Sequence, residues 1–548
     1  MRRQSPSSLP ATVPLLVACL TGTLHARAES IISSGEGRRV IGDVKSEDES
    51  NVEVEIYRGF THKVPKAAIA TRQDIDRSQR PQREDFAQRR RALGRDDIAG
   101  HLALAEWARG QGLVVQAQGM LLELAERFPD RAEIHAQAAR PAAAPLGADN
   151  RDFLARQVDA FFAPDAATDA VLAALAGRDS LPPGSADEWM HLCMAAARTR
   201  GKVAEGKQKF AFGALKTTVH VELCRKARPP AVPPADDELP WPVVISLHGG
   251  GKDAGDWTMG GPQVREAFRR RLDRFIFVAP DVMRKEYAEW AGNPDEESLL
   301  KELLRAVKRT WKVDTDRVFL AGYSMGGYGT WHIGGHNADL FAGLVSGAGG
   351  ILVGHARGET WGWGVVGNLM NTPIAFSHGG KDKPAPPWSD AECDRILTEL
   401  AARHPDCYRH RYTFHADKGH GLPGETTAES VAWISEFTRA PYPKKICWEP
   451  KRVFNRQFSW LAVRKPQIFT RLEAEIDGQT IRLRTLNMNG GFSILLNAHL
   501  VDLDEPVTVE IDGRRVFAGL VPETLSTILT TVADRIDERQ WFSARLDF

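Results

Sequence analysis

Gly322-Tyr323-Ser324-Met325-Gly326 constrains this chain more than any other stretch, because of what stands on either side of it. Arg317-Val318-Phe319-Leu320-Ala321 before it is a short apolar run that predicts a buried strand, and Gly327 to Ile333 after it can open a helix. A serine on a sharp strand-to-helix turn takes a strained backbone, and glycines on both sides let helix and strand pack closely. The hydroxyl is then pushed out of the sheet, within reach of a base. Such a turn needs a sheet with helices packed against it, so the chain is expected to be α/β at its centre.

Other strand ends repeat the pattern. Pro242 to Leu247 predicts a buried strand that runs into His248-Gly249-Gly250-Gly251. Glycines there let backbone N–H groups turn toward a developing oxyanion, so Gly249 and Gly250 are candidate donors, with the amide of Met325 as the other. Pro373 to Ser377 predicts a further strand, followed by His378-Gly379-Gly380-Lys381-Asp382. Tyr408 to Phe414 alternates like a strand and leads to Lys418-Gly419-His420-Gly421. Ser324, Asp382 and His420 thus follow one another in the chain, each just past a strand. Asp390 and Glu392 compete for the acid position and His415 for the base. Asp382 sits at the expected strand end, and the glycines around His420 mark an exposed loop, whereas His415 still belongs to the alternating run. His248 and His378 read as structural histidines near the site, and His332 and His336 have no evident task. Trp290 and Trp388 are candidate substrate-binding walls.

The matching stretches L-H-G-G-G, V-D-T-D-R-V-F-L-A-G-Y-S-M-G-G-Y-G-T-W, H-G-G-K-D and K-G-H-G carry a resemblance. From about Gly206 to Arg439 the chain resembles an α/β-hydrolase of the secreted esterase, phospholipase/carboxylesterase and feruloyl-esterase-like kind. The resemblance implies Ser324 as nucleophile, Asp382 as the acid and His420 as the base. Strands alternating with helices along this segment predict a mostly parallel, doubly wound sheet.

With 548 residues, about two to four domains are expected. Lysine plus arginine and aspartate plus glutamate balance at 71 each, which argues against a general polyanion binder, so no nucleic-acid partner is expected. Arg2 and Arg3, the apolar stretch Ala11 to Leu20 and Ala26-Arg27-Ala28 have the layout of a secretory signal peptide over 1–28. The expected location is secreted or periplasmic, with no integral membrane segment after cleavage. Leu16-Val17-Ala18-Cys19 read as a lipobox would instead leave a lipid anchor at Cys19. Cleavage leaves Cys193, Cys224, Cys393, Cys407 and Cys447; Cys393 and Cys407 flank a predicted helix and are the candidate disulfide, with buried free thiols as the alternative. No H-E-x-x-H, C-x-x-C or P-loop lysine occurs, so neither metal nor cofactor is expected.

Around the hydrolase-like segment (205–440) the periodicity changes. Residues 29–72 alternate and predict a small β module, and 83–200 predict helices, one pair of which is similar to a tetratricopeptide unit. Residues 441–548 alternate again, with Asp477-Gly478 and Asp512-Gly513 as hairpin turns, and predict a β-rich appendage from which the helical pattern has gone. Trp448, Trp460 and Trp541 there permit carbohydrate or envelope contact, against the alternative of core tryptophans. The expected substrate is a small-molecule or polymer-linked carboxylic ester. The alternatives are a serine peptidase of the prolyl-oligopeptidase kind, which shares this triad, and a non-catalytic cell-envelope binding protein on the same scaffold.

Overall fold

A computed structural model describes residues 29–34, 39–48, 50–57, 60–66, 69–74, 88–90, 92–94, 97–110, isolated positions between 117 and 134, 148–163, 166–182, 184–199, 201–226, 239–250, 255–282, 290, 294–351, 363–450, 455–467, 470–488 and 490–548. The expected signal segment with Cys19, most of the second helix of the tetratricopeptide-like pair, and Gly251 lie outside the described residues.

Strands β1 (Glu29–Ser34), β2 (Arg39–Glu47), β3 (Asn51–Tyr57), β4 (Phe60–Pro65) and β5 (Ile69–Asp74) form an antiparallel sheet in the order β4-β3-β2-β1-β5. Helices follow at Ile98–Gly110, Ala148–Phe161, Thr168–Leu175 and Ala186–Ala197.

The central sheet is built from β6 (Gly206–Phe212), β7 (Leu215–Arg225), β8 (Trp241–Leu247), β9 (Arg274–Pro280), β10 (Val313–Tyr323), β11 (Gly343–Gly347), β12 (Ile374–Gly379) and β13 (His410–His415). Its order is β13-β12-β11-β10-β8-β9-β7-β6. The six strands β8 to β13 run parallel, while β7 is antiparallel to both β6 and β9. Its strands β8, β11 and β12 are buried at every position because both faces are covered. Val244, Phe277, Phe319 and Val345 pack on one face with Val264, Phe268, Val431 and Ile434, which come from helices Gly261–Arg269 and Gly424–Ile434. Val243, Ile245, Leu320 and Phe376 point the other way, toward helices Pro294–Thr310, Met325–His336 and Trp388–Arg403. Parallel strands all end at one edge, so the loops after β8, β10, β12 and β13 gather there.

The C-terminal part comprises β14 (Lys445–Trp448), β15 (Gln457–Phe458), β16 (Leu461–Val463), β17 (Arg471–Asp477), β18 (Thr480–Leu486), β19 (Phe492–Leu496), β20 (Val507–Ile511), β21 (Arg514–Gly519) and β22 (Ala544–Asp547). They make two sheets, β14-β17-β18-β20-β21 and β15-β16-β19-β22. The hairpin between β20 and β21 turns on Asp512 and Gly513, whose φ values of 51° and 78° explain the Asp-Gly pair. Trp448, Trp460 and Trp541 are 1%, 0% and 5% exposed, so they are core residues and offer no carbohydrate face.

One expectation needs correction, and one open alternative is decided. A helix, Leu525–Arg535, stands where the helical pattern was expected to be gone. Thr527, Ile528, Thr530, Thr531 and Val532 are β-branched and read as strand. Thr524 caps its first turn, and Ile528, Leu529 and Val532 pack into one cluster with Leu154, Trp189 and Met190, contacts that outweigh propensity. Cys393 and Cys407 are separate free thiols: Cys393 is buried in the central core, and Cys407 lies beyond the helix end and is partly exposed.

Candidate active site

Ser324 joins β10 to helix Met325–His336 with φ 57° and ψ −119°, a conformation that a non-glycine residue adopts only when its surroundings impose it. The glycines impose it. A β-carbon on Gly322 would stand 2.1 Å from the carbonyl oxygen of Gly326, and one on Gly326 would stand 2.0 Å from that of Leu247. The serine amide is anchored on the Gly347 carbonyl at 2.8 Å.

Asp382 follows β12 and His420 follows β13, and the two loops are zipped together by main-chain contacts. Lys381 N–H donates to the Lys418 carbonyl at 2.8 Å, and Gly380 N–H donates to that of His415 at 2.8 Å. A β-carbon on Gly379 would meet the Gly419 oxygen at 2.2 Å, so glycine permits this approach. His420 Nε2 then lies 2.9 Å from Ser324 Oγ, and its Nδ1 lies 2.8 Å from Asp382 Oδ2. The other Asp382 oxygen accepts the Ala385 amide at 3.0 Å. The Asp382 carboxylate is fully buried while the His420 ring is 32% exposed, so the imidazole is the open member of the line.

The competing residues are occupied elsewhere. Asp390 accepts from Trp331 Nε1 at 3.0 Å and bonds His378 Nδ1 at 2.7 Å. His415 Nε2 bonds Thr426 Oγ1 at 2.9 Å, and Glu392 is paired with Arg395 at 2.6 Å.

The loop after β8 lies over the serine, since a β-carbon on Gly249 would come within 3.7 Å of Ser324 Cβ. His248 supports the loop from below. Its Nδ1–H donates to the Gly249 carbonyl at 2.8 Å and its Nε2 accepts from Val282 N–H at 3.1 Å. Burial holds this ring below its ordinary basicity, in keeping with the neutral tautomer that these two bonds require. One candidate oxyanion donor is corrected by this geometry. Gly249 N–H is spent on the Met259 carbonyl at 3.0 Å, which leaves the amides of Gly250 and Met325. Gly250 has φ 137°, a conformation open to glycine, and Met325 opens its helix, where N–H groups have no intrahelical partner.

Trp290 is not a substrate wall. It is 2% exposed, donates its Nε1–H to the His248 carbonyl at 3.0 Å and packs against Gly329. Trp388 is 53% exposed at the start of its helix. Sequence reasoning passed over Tyr323, whose hydroxyl donates to the His420 carbonyl, and Tyr328, half-buried one helical turn past the serine. Burial, then Asp390 and Asp382, push the Tyr328 phenol up to about 12. Tyr323 lies inside the motif itself, but nothing in its neighbours signals a partner in another loop.

The strand order, the antiparallel β7 and the left-handed serine between strand and helix define an α/β-hydrolase fold, with Ser324, Asp382 and His420 at the ends of three of its strands. Solved structures similar to this chain include a thermostable esterase, at 21% identity over 42% of this chain and 63% of that one, TM-score 0.32. A ferulic acid esterase is similar at 17% identity over 42% of this chain and 97% of that one, TM-score 0.33. The acylaminoacyl peptidase of Pyrococcus horikoshii is similar at 16% identity over 42% of this chain and 41% of that one, TM-score 0.31. This chain therefore spans less than two thirds of the thermostable esterase and of the peptidase. No protein-family model matches the sequence, and no curated protein matches it.

Proposed function

We propose that this chain is an exported serine hydrolase that cleaves carboxylic esters through an acyl-enzyme. The observation that carries the reading is one imidazole bonded on both sides, to Ser324 Oγ at 2.9 Å and to Asp382 Oδ2 at 2.8 Å. His420 takes the serine proton as Oγ attacks the ester carbonyl, and returns it to the leaving alcohol. Asp382 keeps the proton of His420 on Nδ1 and offsets the imidazolium charge. The amides of Gly250 and Met325 receive the oxyanion. Water, activated by the same imidazole, then releases the acid. The substrate is a small-molecule or polymer-linked ester, and residues 1–28 are the export signal.

Hydrolysis of a short and a long p-nitrophenyl acyl ester, with Ser324→Ala and a peptide anilide alongside, tests the reading. Turnover of the esters should fall by about 10⁶ in the variant. Cleavage of the anilide alone would replace esterase with peptidase. A folded protein that turns over none of the three, with Ser324 unlabelled by a fluorophosphonate, would leave a binding scaffold.

A further inference from the structure

A second histidine, outside the Ser324–His420–Asp382 line, stands behind Asp382. His378, at the end of β12, is wholly buried between Asp382 and Asp390. Its Nε2 lies 2.6 Å from the Ala385 carbonyl oxygen, which can only accept, so Nε2 carries a hydrogen. Its Nδ1 lies 2.7 Å from Asp390 Oδ2. Asp390 also receives Trp331 Nε1–H at 3.0 Å and the amide of Gly349. Burial raises the Asp390 carboxyl above its ordinary value, while His378, Trp331 Nε1–H and the Gly349 amide pull it back toward the ionised form. With Asp390 ionised, Nδ1 carries a hydrogen as well and the ring is an imidazolium. The same Nε2 lies 3.4 Å from Asp382 Oδ2, the oxygen that accepts from His420.

We propose that His378, kept cationic by Asp390, is a positioning residue that holds Asp382 ionised and aligned on His420, and so sets the acid limit of Ser324 reactivity. This rests on the hydrolase reading above. A buried carboxylate without a nearby cation is driven toward its neutral form, which would no longer orient the base. Burial opposes charge on His378, but Asp390, the Ala385 carbonyl and Asp382 together raise its basicity above the ordinary value. The other titratable groups turned toward these carboxylates are Tyr323 on β10, Tyr328 on helix Met325–His336, Tyr412 on β13 and Cys393 on helix Trp388–Arg403. Burial pushes all four upward, so they stay neutral through the working range and leave His378 as the cation behind Asp382.

The test is the rate of fluorophosphonate labelling of Ser324 against pH in the full chain, for wild type, His378→Gln and Asp390→Asn. Glutamine keeps a donor without charge, and asparagine removes the anion that holds the proton while preserving shape. Losing the cation makes protonation of the Asp382–His420 pair easier. In both variants the acid limb should therefore move to higher pH by about one unit. A folded variant with a reduced plateau but an unmoved limb would show mere packing and overturn the proposal. Should His378→Gln not fold, the isosteric Asp390→Asn decides alone. Folded wild type that is not labelled at any pH would overturn the hydrolase reading and this inference with it, a result distinct from an unmoved limb.

Discussion

Tyr323 donates its phenolic hydrogen to the main-chain carbonyl of His420, so the residue before the serine holds the loop that carries the base. The two rings are 5.7 Å apart, centroid to centroid. Tyr323 lies on β10 and His420 beyond β13, and this bond crosses the strands between them.

Tyr323→Phe keeps the ring and removes this tie. One hydrogen bond of this kind is worth about 1 kcal/mol, so the rate of Ser324 acylation should drop roughly fivefold to tenfold with little change in melting temperature. Stopped-flow acylation with a p-nitrophenyl ester reads it. An unchanged rate would mean that the zipped main chains alone position His420.

Gly326→Ala sets a β-carbon 2.0 Å from the Leu247 oxygen, backbone against backbone, where no side chain can yield. It should destabilise the protein by about 3 kcal/mol. Gly421→Ala, with nothing within 4 Å, should cost less than about 0.5 kcal/mol. Thermal melts of the two variants should differ accordingly.

Arg439 joins Asp316 at 2.9 Å and Asp537 at 2.8 Å, all of them buried, and ties the end of the central sheet to the C-terminal segment. Burial alone would raise the Asp537 carboxyl, but Arg439 and Lys308 hold it well below the usual carboxylate range. A folded-state pKa below the unfolded one gives stability that is present above about pH 4 and lost as pH falls further. The Asp537 contribution to the melting temperature should thus hold level from neutrality to about pH 4 and then decline through the acid range. Arg439→Met should cost about 3–5 kcal/mol and start that decline at higher pH, because Asp537 is left buried without its strongest partner.

Truncation after Ala440 removes Trp448, Leu472, Ile494 and Leu546 from the cluster that also contains Val243, Leu320 and Trp331. It also takes Asn455 from Glu297, bonded at 2.9 Å, and Arg535 from Asp339, paired at 2.6 Å. The shortened chain should be insoluble or lack a cooperative melt. A soluble, fluorophosphonate-reactive fragment ending there would show that the hydrolase core closes without the C-terminal sheets.

The sequence by itself determined the parts whose physics is local. Val318 to Leu320 followed by Gly322-Tyr323-Ser324-Met325-Gly326 carries strand, turn and helix start within a dozen residues, and the glycines that permit the turn are in the motif. Asp512-Gly513 marks its hairpin for the same reason. Short apolar runs ending in glycine loops placed the central strands, because a strand covered on both faces is mostly apolar. What the tertiary structure decided is which distant groups meet. Gly249 loses its amide to Met259, Trp290 goes under the glycine loop, Tyr323 reaches His420, and His378 is enclosed by Asp382 and Asp390. The helix Leu525–Arg535 exists because Leu154, Trp189 and Met190 receive its apolar stripe against the propensity of its own residues. Hydrogen bonds and burial depend on separations in space, and chain neighbours specify those only where the backbone turns within a few residues.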